Sequence, residues 1–394
     1  MSLASSGQNR KIARERPVSI VVNGQSINDL EALYIGSGGF ADIYSYPVSK
    51  YNKKPAVIKL ITGVDKNDRP DFFKNLEESS QAAIQLQTKY RDVFLNIHEI
   101  LPVQLTYADG SSKESVGIVS DRMVHDVLDE VTQNRDQNRS RALFEVSLTA
   151  KVFLTYIKGL RALYEEGLVH GDITPQNMLI SPANEFVISD LDTLAEPGTS
   201  PQVTSKGTGS PEVLKRGGAL SYLSDLYALA ETLSVLITYK QTDFFYKGLD
   251  DSESKKLHAQ AVMKMTEALS KKITKLKALL NKKRDETWLK FLDFLEDFIA
   301  IGHNYYPENR QKQLATLLGL SKGARLNKIY EQIESYLETL PKYQPRTTKV
   351  MRDVNDDLGA VADSLCAAML SSWSQLPDAK GLSEYERGSV DLGL

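Results

Sequence analysis

Residues 170 to 177 read His-Gly-Asp-Ile-Thr-Pro-Gln-Asn, and thirteen positions beyond that asparagine stands Asp190. An Asp followed five residues later by an Asn can set a carboxylate beside an attacking hydroxyl and turn an amide oxygen to a metal ion. A further Asp, at the end of the next predicted strand (186–188), can bind the metal that bridges nucleotide phosphates. Phosphoryl transfer calls for such a set, because its transition state is stabilised mainly by positioning and charge neutralisation.

Two kinds of structure must position these groups. From about Val18 to Met123 the chain favours strands: 18–22, 32–35, 42–45, 56–59 and 116–119 are short, β-branched and separated by Gly, Asn, Lys and Pro. One predicted helix interrupts them, with Phe72, Leu76, Ala83, Leu86 and Tyr90 on one stripe. After Val124 the pattern turns helical. Residues 141 to 166 form one helix with Leu143, Val146, Leu160 and Leu163 among its apolar positions, and helices resume at Asp225. The fold class is therefore α+β, a small β-rich lobe joined to a larger α-helical one, with a cleft between them suited to a nucleotide.

Composition narrows the function classes. A hydrophobic share of 41% and a charged share of 25% are those of a soluble globular protein. The net charge of -3 gives no reason to expect nucleic acid. Cys366 is the only cysteine, and His98, His125, His170, His258 and His303 lack metal-ligand spacing, so no disulfide or cysteine metal site is expected. No run is apolar enough to span a bilayer. The polar, basic start reads as a flexible tail, in keeping with a cytoplasmic protein. An export signal for secretion into a host cell's cytosol would read the same way.

Upstream, Ile35-Gly-Ser-Gly-Gly-Phe-Ala-Asp-Ile43 lies between two predicted strands, where glycines let backbone approach phosphates. Lys59 follows sixteen residues past Ile43, closing Pro55-Ala-Val-Ile-Lys. A lysine among apolar strand residues needs an acidic partner or solvent. Glu77 and Glu78 of the next helix are the candidates, and the residues do not decide between them. Farther on, 255–284 holds ten Lys or Arg against one acid, Glu267, while Leu257, Ala261, Met265, Leu269, Leu276 and Leu280 keep a helical stripe. It reads as a long helix packed by that stripe; its basic face is either merely solvated or a docking surface for an acidic partner or anionic lipid.

Together these features resemble the protein-kinase family. Gly36, Gly38 and Gly39 with Ala41 and Ile43 are similar to its Gly-rich loop, and Ala56-Val-Ile-Lys59 to the strand bearing the phosphate-anchoring lysine. His170-Gly-Asp172 through Asn177 resembles the catalytic loop, and Asp190-Leu-Asp192 the metal-binding triplet. Gly207-Thr-Gly-Ser-Pro-Glu212 resembles the end of the activation segment, Ser224-Asp225-Leu-Tyr the start of the helix anchoring the large lobe, and Pro307-Glu-Asn-Arg310 the late motif whose arginine pairs with that glutamate. The likeness covers roughly residues 30 to 320.

The resemblance implies ATP and Mg2+, or Mn2+ in its place. Asp172 would orient the substrate hydroxyl and accept its proton. Asn177 and Asp190 would hold the metal, with Asp192 either a helper or a solvated loop residue. Lys59 would contact the α- and β-phosphates, and Asp225 would brace the catalytic loop from below. Ser120 would be a small gatekeeper, with the backbone of Asp121 and Met123 facing adenine. It also implies a division into a 1–17 tail, an N-lobe over 18–123, a C-lobe over 124–320 with a basic insertion at 241–303, and a 321–394 helical extension.

Departures from the family pattern qualify this. Gly171 replaces the arginine that reads a phosphorylated activation loop, which argues against control by loop phosphorylation. Thr174 stands where Ser/Thr kinases carry a lysine, as in atypical and small-molecule branches such as the aminoglycoside phosphotransferases. Asp192 replaces the triplet's glycine, as in some bacterial kinase-like proteins. The leading expectation is a eukaryotic-like Ser/Thr protein kinase of bacterial source acting on a protein substrate, constitutively active or switched on by an activating protein or dimer. The alternatives are a small-molecule kinase and a pseudokinase scaffold. Lys59, Asp172, Asn177 and Asp190 standing together argue against the scaffold.

Overall fold

The computed structural model describes residues 15–28, 30–38, 41–46, 55–66, 68–132, 139–201, 209–214, 218–240 and 251–343. Gly39, Gly207, Cys366, residues 241–250 and the 350–373 stretch lie outside them, as does most of the N-terminal tail.

Strands β1 (Ser19–Val22) and β2 (Gln25–Asn28) lead through a single turn of helix, α1 (Leu30–Leu33), to β3 (Tyr34–Ser37), β4 (Ala41–Tyr46) and β5 (Ala56–Ile61). Helix α2 (Pro70–Lys89) follows, then β6 (Ile97–Thr106) and β7 (Ser112–Asp121). These seven strands form one antiparallel sheet in the order β2-β1-β6-β7-β5-β4-β3. The remainder is mostly helical: β8 (His125–Asp126), α3 (Val127–Thr132), α4 (Arg139–Glu165), β9 (Met178–Ile180), β10 (Phe186–Ile188), α5 (Pro211–Leu214), α6 (Tyr222–Thr238), α7 (Asp251–Leu279), α8 (Glu286–Gly302), α9 (Pro307–Leu317) and α10 (Leu326–Glu338). The fold is two-lobed α+β. Among the described residues no helix is long and apolar enough to cross a membrane.

Local chemistry accounts for most of these elements. Helix α2 starts on Pro70 with Asp71 in its first turn, and buries Phe73, Leu76, Ala83 and Leu86. Helix α6 opens with a capping box: Ser221 accepts from the Ser224 amide at 3.1 Å, and Ser224 Oγ accepts from the Ser221 amide at 2.9 Å. It is buried nearly all round, so α4, α7, α8 and α9 pack about it as the centre of the large lobe.

Three expectations need correction. The strand expected at 32–35 begins as helix, because Leu30 is buried as an anchor and Ala32 has little strand preference; only Tyr34 onward is extended. The ten-residue β6 falls outside the expected strands because Pro102 interrupts its pattern. The proline is tolerated there because the ladder to β1 stops at Val103, leaving Pro102 paired on the β7 side alone. Helix α7 forms on the expected stripe, with Met265, Leu269, Leu276 and Leu280 buried, but Ile273 joins them and Leu257 is exposed.

Candidate active site

The catalytic-loop segment is fixed from beneath by backbone bonds. The amides of His170 and Gly171 donate to the two oxygens of buried Asp225, at 2.7 and 3.0 Å. Burial raises the Asp225 pKa, His170 counteracting. His170 Nε2 donates to the Ser189 carbonyl at 3.1 Å, so its Nδ1 is the acceptor facing the Asp172 amide at 3.3 Å. Tyr156 Oη donates to the Thr174 carbonyl at 2.6 Å, and Thr232 Oγ1 to that of Ile173 at 3.3 Å. Gly171 sits at φ +80°, where a side chain is strained, and a Cβ would press Leu220 at 3.1 Å. An arginine is thus disfavoured here by the backbone as well as absent from the sequence.

On this base Asn177 Nδ2 donates to the Asp172 carbonyl at 2.8 Å and to its carboxylate at 3.1 Å. With its amine committed to Asp172, Asn177 has Oδ1 left to meet a cation. The Ser189 amide donates to the Asn177 carbonyl at 2.8 Å, tying the loop to the end of β10. Strand β10 lies close on α4 at Gly159, where a Cβ would meet Ile188 Cδ1 at 2.2 Å. Asp190 follows at φ +59°, a left-handed conformation that Asp tolerates, and opens a short 3-10 turn over Leu191–Thr193.

Lys59 reaches this turn from β5. Its Nζ bonds Asp190 and lies 2.9 and 3.1 Å from the two carboxylate oxygens of Asp192. The three side chains are 25%, 33% and 14% exposed, in that order. Burial works against the Lys59 charge, but the two carboxylates outweigh it and its pKa rises. Burial likewise opposes ionisation of Asp190, yet the Lys59 charge holds its pKa low. Burial and the neighbouring Asp190 charge push Asp192 up to about 6.

The expected partners of Lys59 lie elsewhere. Glu77 and Glu78 are 51% and 65% exposed and pair with Lys66 at 3.7 Å and Lys74 at 3.8 Å. The stripe that packs α2 inward carries Leu76, Ser79 and Ala83, so both glutamates point off it. Sequence reading missed Ser79, whose Oγ lies 2.9 Å from the Asp192 carbonyl. Its place three residues after Leu76 and four before Ala83 was the available signal.

The sheet gathers most of the expected nucleotide face. Gly36 pairs with Ile43, Ile43 with Lys59, and Lys59 with Ile118 across β3, β4, β5 and β7; Ala56 pairs with Asp121, next to buried Ser120. Among the described residues nothing lies within 4 Å of a Cβ built on Gly36, and only the Ala41 carbonyl, at 3.9 Å, near one on Gly38. Packing does not demand glycine at either position; what the glycines leave is room above the strand. The Asp121 carboxylate accepts from His98 Nε2 at 2.7 Å. The Asp121 amide donates to the Asn96 carbonyl at 3.0 Å, and Met123 lies between the amide bonds of Arg122 and Val124.

Farther down, fully buried Arg310 donates to Glu212 Oε2 at 2.9 Å, to the Leu223 carbonyl at 2.9 Å and to the Asn304 carbonyl at 2.7 Å. That is the pairing expected between the activation-segment end and the late Pro-x-x-Arg motif. Residues 31–316 match the family model described as protein kinase domain. The chain belongs to the protein kinase domain family. Its relatives include a probable serine/threonine-protein kinase of Dictyostelium discoideum, 23% identical over 203 residues (50% of this chain, 15% of that protein). The serine/threonine-protein kinase-transforming protein mos of Moloney murine sarcoma virus is 23% identical over 215 residues (52% and 54%). Mitogen-activated protein kinase kinase 10 of Arabidopsis thaliana is 25% identical over 170 residues (42% and 47%). The chain thus spans at most 54% of the length of these relatives. Helix α10 lies beyond the kinase-domain match and packs on α4, with ion pairs Lys158–Glu338 at 2.7 Å and Arg161–Glu334 at 3.1 Å.

Proposed function

We propose that this chain is a serine/threonine protein kinase that moves the γ-phosphate of Mg·ATP to hydroxyls of a protein substrate. The observation that carries the reading is the joined set of Asp172, Asn177, Asp190 and Lys59, with the Asn177 amide holding the Asp172 carboxylate in place. The residues suit the group: Asn177 Oδ1 and the Asp190 carboxylate are hard oxygen donors, and Gly36 and Gly38 leave open space among the described residues. Among the described residues no three His, Cys, Asp or Glu side chains form a metal-holding cluster. That fits Mg2+, which is commonly held by one or two carboxylates together with phosphate oxygens and water.

Bound there, Mg·ATP supplies the transferable phosphoryl group and the cation that offsets its charge. Asp172 orients the incoming hydroxyl and takes its proton, Asn177 and Asp190 hold the metal, and Lys59 contacts the α- and β-phosphates. Gly36, Gly38, Gly39 and Ile43 cover the nucleotide, while Ala56, Ser120 and the backbone of Asp121 and Met123 receive the adenine. Gly171 offers no side chain to read a loop phosphate, which supports activity independent of activation-segment phosphorylation. The exposed lysines of α7, Lys256, Lys264, Lys271 and Lys275 among them, suit an acidic partner.

Transfer of labelled γ-phosphate from Mg·ATP to a generic basic protein tests the reading. Asp172→Asn should lower transfer by about 10²–10⁴-fold, the range for a lost general base, and Lys59→Met should abolish most of it. Transfer to a small molecule but not to protein would move the chain to the small-molecule branch. Nucleotide binding without any transfer would leave a scaffold.

A further inference from the structure

A lysine that must hold still beneath phosphates needs a fixed carboxylate, and helix α2 does not provide one. At about 100° per residue, Glu78 lies a little over a quarter turn and Glu77 nearly half a turn from Ser79, the α2 residue that meets the 3-10 turn. Both glutamates instead form loose ion pairs with other lysines, Lys66 and Lys74. Serine has no charge to offer.

We propose that Asp192 is the anchor of Lys59 and takes the place a helix α2 glutamate would otherwise fill. Both its carboxylate oxygens face the ammonium, at 2.9 and 3.1 Å, and it is the least exposed of the three charged groups. Its backbone is pinned as well. The preceding Leu191 is buried, Ser79 Oγ reaches its carbonyl, and Thr193 Oγ1 donates to the Asp190 carbonyl at 2.8 Å to close the turn. In the kinase reading above, on which the functional half of this inference rests, Asp190 turns oxygens to the metal. Asp192 is then the carboxylate that stays with Lys59. Asp192 is thus a positioning residue, and the lysine is held from the large lobe rather than from α2. The site's competence then does not depend on where the glutamates of α2 point.

Two readouts test this. The first is the rate at which an amine-reactive ester modifies Lys59, followed by mass spectrometry of the nucleotide-free full chain. Asp192→Asn should raise that rate about threefold or more, because the ammonium loses a charge-assisted bond. The Glu77→Ala/Glu78→Ala double variant should label like wild type. Wild-type labelling of Asp192→Asn, or faster labelling of the glutamate variant, would overturn the anchor.

The second readout is affinity for a fluorescent ATP analogue with Mg2+. Asp192→Asn should weaken binding about tenfold, as Lys59→Met does, and combining the two should add less than about twofold, since Asp192 acts through Lys59. Full additivity would mean that Asp192 serves the nucleotide or metal independently, and would overturn the positioning role. Should wild type bind no nucleotide while the labelling differences hold, the kinase reading fails and the pairing stands. Melting temperatures of all variants separate these effects from misfolding, and Asp192→Ala repeats the test with the side chain removed.

Discussion

Two parts of the molecule, a lower wall of buried polar groups inside the large lobe and an upper wall formed by the Lys59 cluster, are built on different physics. Below, Asp225, Arg310, His303 and Glu231 are buried, and each polar group is met by a fixed partner. His303 Nε2 lies 2.7 Å from Glu231, and Arg310 holds Glu212 together with two backbone carbonyls. Above, Lys59, Asp190 and Asp192 are partly exposed, and among the described residues the hydrogen bond from α2 to their turn is that of Ser79. A buried charge without its partner is costly, so the lower wall has one arrangement. The upper wall is not locked in this way, and in the kinase reading proposed above it exchanges partners when nucleotide binds. Substitutions below should therefore cost stability, and substitutions above should cost ligand affinity with little loss of stability.

The largest stability loss is expected at Arg310. Removing the guanidinium in Arg310→Ala strands the Glu212 carboxylate and two carbonyls, at about 3–5 kcal/mol. Urea unfolding midpoints measure it. The double change Glu212→Gln/Arg310→Met should recover part of the loss, because no uncompensated charge remains. A loss below about 1 kcal/mol for Arg310→Ala would break the contrast between the walls.

A second loss on the lower side depends on pH. Buried His258, with its Nε2 3.3 Å from Tyr227 Oη, is depressed to about 3 by desolvation, aided by His303 and Arg310. Below its ordinary value of 6.5 the unfolded chain binds a proton that the folded chain refuses. Stability from this group is full above pH 6.5 and falls as pH drops toward 3, by on the order of 1 kcal/mol per pH unit. Asp192, raised to about 6, works the other way between its ordinary 3.8 and 6. The difference between wild type and His258→Gln isolates the histidine, since both carry Asp192. A flat difference between pH 6.5 and 4 would contradict the burial assigned to His258.

The same contrast explains what was legible in the sequence. The lower wall depends on motifs whose partners are set by burial, so the resemblance to the protein-kinase family was enough to carry Asp225 to its place under the catalytic loop and Arg310 to Glu212. The Lys59 partner was not readable. Reading Glu77 or Glu78 assumed that an acid on the helix after the lysine strand faces inward, whereas the Leu76–Ser79–Ala83 stripe directs both outward. The sequence leaves Asp192 as either a helper for the metal or a solvated loop residue. Only the tertiary approach of β5 to the 3-10 turn makes it a lysine partner. Strand β6 was lost for another reason: tolerance of Pro102 depends on where β1 ends, a fact of pairing and not of the segment itself.

The smallest effects belong to α2, and they sharpen the comparison most. Ser79 Oγ has one hydrogen and three acceptors in reach: Asn75 O at 2.8 Å, Asp192 O at 2.9 Å and Leu76 O at 3.1 Å. It can serve its own helix as readily as the 3-10 turn, so it is a weak tether. Ser79→Ala should cost about 0.5–1.5 kcal/mol, the net worth of one hydrogen bond. Its neighbour Glu78→Ala should stay within about 0.5 kcal/mol, as an exposed i,i+4 pair warrants. Both are measured by denaturant unfolding beside Arg310→Ala. If Ser79→Ala matched the arginine variant, α2 would be clamped to the turn as firmly as the lower wall is to itself. The upper wall would then have lost the freedom on which its exchange of partners depends.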